Sequence, residues 1–130
     1  MGDSEITVWH NPRCSKSRGV LALLEERGLR PEVVRYLDSA PDRDELVDVL
    51  RRLGTDDPGT IVRTGESRYR ELGLAGADAD TLLDALVANP VLIERPIVLR
   101  GDRAVVARPP ERVLELLEDR LRGAYRQSDG

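Results

Sequence analysis

Phenylalanine is absent from this chain of 130 residues, and Trp9, Tyr36, Tyr69 and Tyr125 are its whole aromatic complement. An interior with so few rings has to be aliphatic, drawn from Leu, Val, Ile and Ala. Cysteine occurs once, at Cys14, and histidine once, at His10. One cysteine excludes an internal disulfide and suits a reducing compartment. One of each is too few for a thiolate or imidazole metal cluster, so no metal site is expected. Lysine also occurs once, as Lys16, so arginine carries nearly all the positive charge. The net charge of −4 leaves no global basic field for nucleic acid or an anionic membrane. No apolar run approaches the length of a membrane span, and Met1-Gly2-Asp3-Ser4-Glu5 is acidic and polar, so a cytoplasmic protein is expected. A Walker loop and a dinucleotide glycine fingerprint are both missing. Gly73 and Gly76 are too isolated to form a phosphate loop, and no bound cofactor is expected.

What is present fits one domain over residues 1–122, with 40% hydrophobic and 34% charged residues. Ile6–Trp9 alternates as a strand. Ser15 to about Arg27 reads as an amphipathic helix, with Val20, Leu21 and Leu24 on one face and Gly28 as its C-cap. Glu32–Leu37 reads as a second strand, parallel to the first because a helical crossover joins them. Pro41 and Asp42 open a second helix, with Glu45 completing a capping box, Leu46, Val49, Leu50 and Leu53 inward, and Gly54 at its end. Residues 55–90 have little strand character. Short helices are expected at Thr60–Arg63 and Ser67–Leu72, then a longer one capped by Asp80 and closed at Asn89-Pro90. Ile97–Arg100 and Ala104–Ala107 flank Gly101-Asp102 as a hairpin. Pro109-Pro110 starts a last helix with Val113, Leu114, Leu117 and Leu121 inward. Residues 123–130 form a polar tail expected to fray. The order is α/β: βαβ, a helical insertion at about 55–90, then ββα.

Cys14 falls in the turn between the first strand and the first helix. A helix N-terminus offers unpaired N–H groups and the positive end of a dipole, which favour a thiolate and a bound oxyanion alike. Lone cysteines are often small buried hydrophobes. This one is flanked by Arg13, Lys16 and Arg18, which favours a nucleophile. His10, protonated or hydrogen-bonded near Cys14, would stabilise the thiolate, or it is a plain turn residue. Ser17 stands where a Cys-x-x-Cys pair would place its second cysteine. Its hydroxyl either bonds the Cys14 thiolate or satisfies the first helical turn. Asn11 shapes the loop or donates to an oxyanion. Arg63, Arg95 and Arg108 stand out by context among many surface arginines: Arg63 follows the apolar Ile61-Val62, Arg95 precedes Pro96 and the third strand, and Arg108 follows the fourth strand and precedes Pro109-Pro110. Forked guanidinium groups match tetrahedral oxyanions.

The run His10-Asn11-Pro12-Arg13-Cys14-Ser15-Lys16-Ser17-Arg18 resembles the active-site loop of the ArsC family of glutaredoxin-coupled arsenate reductases, with their Spx cousins. Ile61-Val62-Arg63, Tyr69-Arg70-Glu71-Leu72-Gly73-Leu74, Asn89 to Val98 and Arg108-Pro109-Pro110-Glu111 agree with it in order. The resemblance implies a thioredoxin-like fold with a mixed four-stranded sheet. It implies Cys14 as the nucleophile tuned by His10, Asn11 and Ser17 at the anion loop, and Arg63, Arg95 and Arg108 as the arginines that bind arsenate. It implies a cis Pro96 facing the cysteine. Glutathione is then the co-substrate and glutaredoxin the partner that completes the cycle. Ser15-Lys16 departs from the Gly-Thr that members usually carry there. Two other readings stand beside this one: an Spx-like regulator that docks on RNA polymerase, and an ArsC-like oxidoreductase acting on another thiol adduct.

Overall fold

The computed structural model describes residues 6–117. The expected boundary at residue 122, the inward Leu121 and the polar tail lie outside the described residues. Four strands form one mixed sheet in the order β2-β1-β3-β4, where β1 is Ile6–Trp9, β2 Glu32–Val34, β3 Ile97–Arg100 and β4 Arg103–Val106. β2 runs parallel to β1, and β3 is antiparallel to both β1 and β4. The α/β architecture is the one expected, down to the parallel first pair.

Alternation along the strands sorts the core onto two faces. Ile6, Val8, Val98 and Val105 point to one face. There they meet Val20 and Leu24 of α1 (Ser15–Glu26) together with Val113 and Leu116. Trp9 and Ile97 point to the other, into a larger cluster with Tyr36, Leu46 and Val49 of α2 (Arg43–Leu53), Ile61, Leu92 and Ile93. α3 (Ser67–Glu71) and α4 (Ala79–Ala88) complete the insertion on that side. Apart from Trp9 and Tyr36, the buried hydrophobic residues are aliphatic, as the composition demands.

Local signals account for the helix ends. α1 closes with Leu29 N–H on Leu24 O (2.9 Å) and Gly28 N–H on Glu25 O (2.9 Å), with Gly28 at φ 75°. α2 opens on the reciprocal Asp42–Glu45 box, at 2.8 and 2.9 Å. The short helix expected at Thr60–Arg63 is a 3-10 turn over Pro58–Ile61, which leaves Arg63 outside it, and the strand expected at Ala104–Ala107 starts one residue earlier. Two further boundaries differ for reasons of tertiary contact. The cap of α4 is Asp78, which accepts from Thr81 N–H at 2.9 Å, and not Asp80. Asp80 is drawn away to Arg43, which also holds Asp84 at 2.7 Å and so ties α2 to α4. β2 stops at Val34 instead of Leu37. Its last rung is His10 N–H to Val34 O at 2.8 Å, after which β1 turns away and leaves no partner for a longer strand. The chain then turns on Arg35 O, which accepts from Asp38 and Ser39, and Tyr36 swings into the core.

Candidate active site

The sheet register gathers the site at one end. Trp9 pairs with Ile97 and Ile97 with Val106, so the loop after β1, the segment before β3 and the segment after β4 lie side by side. These carry Cys14, Arg95 and Arg108. The Arg95–Pro96 peptide is cis, and so is Arg108–Pro109, for which the sequence held no signal. The insertion supplies its arginine through a short antiparallel bridge between Val62 and Ile93. Arg63 N–H donates to Leu92 O and Glu94 N–H to Ile61 O, both at 2.8 Å. That bridge sets Arg63 one step from the Arg95 segment. Gly19 brings α1 close to the opposite flank: a Cβ there would meet Pro110 Cγ at 3.2 Å.

Cys14 is the N-cap of α1, with extended backbone at φ −95° and ψ 122°. Its N–H donates to Asn11 O at 3.0 Å, and its carbonyl accepts the first helical bond from Arg18 N–H at 3.0 Å. The Asn11 side chain shapes this turn: Asn11 Oδ1 accepts from Arg13 N–H at 3.0 Å. Arg18 Nη1 also donates to Pro12 O at 2.8 Å. The thiol is partly buried. Burial pushes its pKa up. The backbone N–H groups of Ser17 and Lys16, the Arg95 charge and the Arg108 guanidinium outweigh that, and hold it below the usual value. Arg108 Nη1 stands 3.8 Å from Cys14 Sγ and is fixed by donating to Arg95 O at 3.1 Å.

Not every candidate touches the thiol. His10 is buried, and desolvation together with the charges of Arg35 and Arg18 lowers its pKa, so it is neutral near pH 7. A protonated His10 acting on Cys14 is therefore not what the structure holds. His10 Nδ1 lies 2.7 Å from Ser17 Oγ, which also accepts from Asn11 N–H at 3.0 Å. The fully buried Ser17 hydroxyl thus braces His10 and the loop, while its backbone N–H serves Cys14. Arg63 pairs with Glu66 at 3.2 Å and donates to Val91 O at 3.3 Å. Arg95 pairs with Glu94 at 3.3 Å.

Sequence reasoning missed two parts of this site: the counter-ions Glu66 and Glu94, and Tyr36. The phenol of Tyr36 is buried beside Arg63, Arg95 and Asn11. Its spacing from Val34 in the strand pattern marks it as inward-facing, but nothing in the pattern marks its hydroxyl. A groove of about 350 Å³ runs along the outer side of the loop, between Arg13, Arg35 and Val91. No group of three or more His, Cys, Asp or Glu suited to a metal occurs among the described residues. Among those residues, too, no helix is long and apolar enough to cross a membrane.

Known proteins resemble this chain over most of its length. The chain is 49% identical over 115 residues to an arsenate reductase of Neisseria meningitidis, covering 87% of this chain and 98% of that one. It is 45% identical over 115 residues to the uncharacterised protein YfgD of Escherichia coli, with the same coverage of this chain and 97% of the relative. The structure of an arsenate reductase from Vibrio cholerae superposes with a TM-score of 0.83 at 42% identity, over 86% of this chain and 97% of the other. The ArsC family model matches residues 9–116, from the last residue of β1 to the segment that packs under α1, and so takes in every residue of the site: this chain belongs to the ArsC family.

Proposed function

We propose that the protein is an arsenate reductase that works through the Cys14 thiolate, with glutathione and glutaredoxin as its source of electrons. One observation carries the reading. Cys14 sits on the N-terminus of α1 with its pKa lowered, and the Arg108 guanidinium is 3.8 Å from its sulfur beside Arg95. The same N–H groups and guanidinium groups that favour a thiolate favour a tetrahedral oxyanion next to it.

In the first step the Cys14 sulfur attacks arsenic. An S–As bond forms, an As–O bond breaks, and the departing oxygen leaves as water or hydroxide. Arg95 and Arg108 carry the negative charge of the remaining oxygens. Arsenic is still in the +5 state. Glutathione then adds to arsenic with loss of a second oxygen. Glutaredoxin attacks the glutathione sulfur, a disulfide forms between those two, and the electron pair of the As–S bond stays on arsenic, which becomes +3. Hydrolysis of the bond to Cys14 releases arsenite and returns the thiol. Two external thiols are needed because Ser17, with its hydroxyl committed to His10 and the Asn11 N–H, stands where an internal partner would be. The same substitution weighs against the regulator reading, since a Cys-x-x-Cys switch has no second sulfur here.

Arsenite formation with glutathione and glutaredoxin tests the reading, and supplying thioredoxin in their place tests the electron route. The account expects turnover in the first mixture, and a stalled adduct on Cys14 in the second. Sustained turnover with thioredoxin alone would overturn the glutathione step.

A further inference from the structure

Two buried hydrogen-bond donors at this site have no acceptor among the described residues: the Tyr36 hydroxyl and Arg95 Nε. A third buried nitrogen with no hydrogen bond, Arg52 Nε, lies 2.9 Å from Asp48 and so has its counter-ion. Tyr36 is wholly buried and is the largest such side chain. A buried donor without an acceptor is destabilising, which makes it rare in a core that has no use for it. A phenylalanine would fill the same space without that cost.

The surroundings of the phenol say which acceptor would suit it. Arg63 and Arg95 both act on it electrostatically, and the Asn11 side chain lies against it without hydrogen-bond geometry. Asn11 Oδ1 is already engaged by Arg13 N–H. Glu94 and Glu66 are taken by Arg95 and Arg63. Burial pushes the phenol pKa up against the pull of the two arginines and Asn11, so the hydroxyl keeps its proton at neutral pH and remains a donor. Two unpartnered buried donors in one cationic neighbourhood, with Arg63 and Arg95 both acting on the phenol, point to an anionic oxygen arriving from outside the chain.

We infer that Tyr36 is a further substrate-binding residue, whose hydroxyl donates to an oxygen of the bound oxyanion together with Arg95 Nε. The assignment rests on the arsenate-reductase reading above. It adds a neutral donor to the charged donors of Arg108 and the N–H groups of the α1 N-terminus. Such a donor binds an oxygen without adding charge that would pair with a glutamate.

Tyr36→Phe removes the hydroxyl and keeps the ring, so it separates the roles. Removal of a group with no partner leaves the thermal midpoint unchanged or raises it. The kcat/KM for arsenate falls about 10- to 100-fold, the effect of one hydrogen bond to a charged group. The pH profile of Cys14 alkylation and the KM for glutathione stay as in the wild type. An unchanged kcat/KM for arsenate makes Tyr36 a core residue only and overturns the assignment. So does a loss matched by an equal loss of alkylation rate, because the hydroxyl would then act through the thiol. A wild-type protein that neither binds nor reduces arsenate removes the reading itself, and the assignment with it.

Discussion

At the scale of single residues, the thiol is tuned by backbone and arginine, and histidine braces the loop. Two measurements separate these roles. The alkylation rate of Cys14 should rise with pH and reach its plateau below the value for a free cysteine, since only the thiolate reacts. Arg108→Ala should move that curve upward, because a guanidinium 3.8 Å from the sulfur is lost. Arg63→Ala should leave the curve in place while lowering kcat/KM for arsenate, because Arg63 is not among the groups that lower the thiol pKa. An equal shift in both variants would mean that net charge alone sets the thiol. His10 makes a separate prediction for stability. Its folded pKa is lowered from 6.5, so the unfolded chain takes up the proton first on acidification. Its contribution is complete above about pH 6.5 and is lost as pH falls from there through the folded value. Thermal midpoints should drop on that limb, and His10→Gln should flatten it. A His10→Gln profile that still drops as steeply would assign the limb to other groups.

At the scale of elements, the site depends on how closely α1 and the segment after β4 approach each other. Gly19 makes that approach possible, with Pro110 Cγ 3.2 Å from where a Cβ would stand. Gly19→Val should push Pro110 and the neighbouring Arg108 outward, lower the thermal midpoint, and slow Cys14 alkylation at neutral pH. Unchanged alkylation would show that the contact does not position Arg108. The caps offer a cleaner test of the helix boundaries. Asp78→Ala should lower the midpoint more than Asp80→Ala, because only Asp78 holds a backbone N–H of the first turn of α4. The reverse order would return the cap to Asp80. On the far side of the sheet, Leu24→Ala removes a fully buried side chain and should cost about 2–5 kcal/mol without touching the thiol.

At the scale of the whole molecule, what was legible in the sequence follows from which interactions are local. The α1 and α2 ends were readable because Gly28, Gly54, Asp42 and Glu45 act within a few residues. The parallel pairing of β1 and β2 followed from the crossover between them. The position of Cys14 followed from the change of period at one turn. Asp80 was misassigned because Asp78 and Asp80 look alike until Arg43, far away in sequence, claims one of them. The role of His10 turned on burial and on Arg35, neither of which a local pattern contains. Tyr36 went unseen as a polar group because its neighbours Arg63 and Arg95 arrive from the insertion and from the segment before β3. Three separated segments converge on one cysteine, and the account stands or falls on whether that cysteine does the chemistry. The most direct measurement is arsenite production from arsenate in the presence of glutathione and glutaredoxin, with intact-mass analysis of the protein, for wild type and Cys14→Ser. The account predicts arsenite and an arsenic-containing adduct with the wild type, and neither with Cys14→Ser. Equal arsenite from both proteins, or no arsenate-dependent adduct on a demonstrably reduced Cys14, would contradict it.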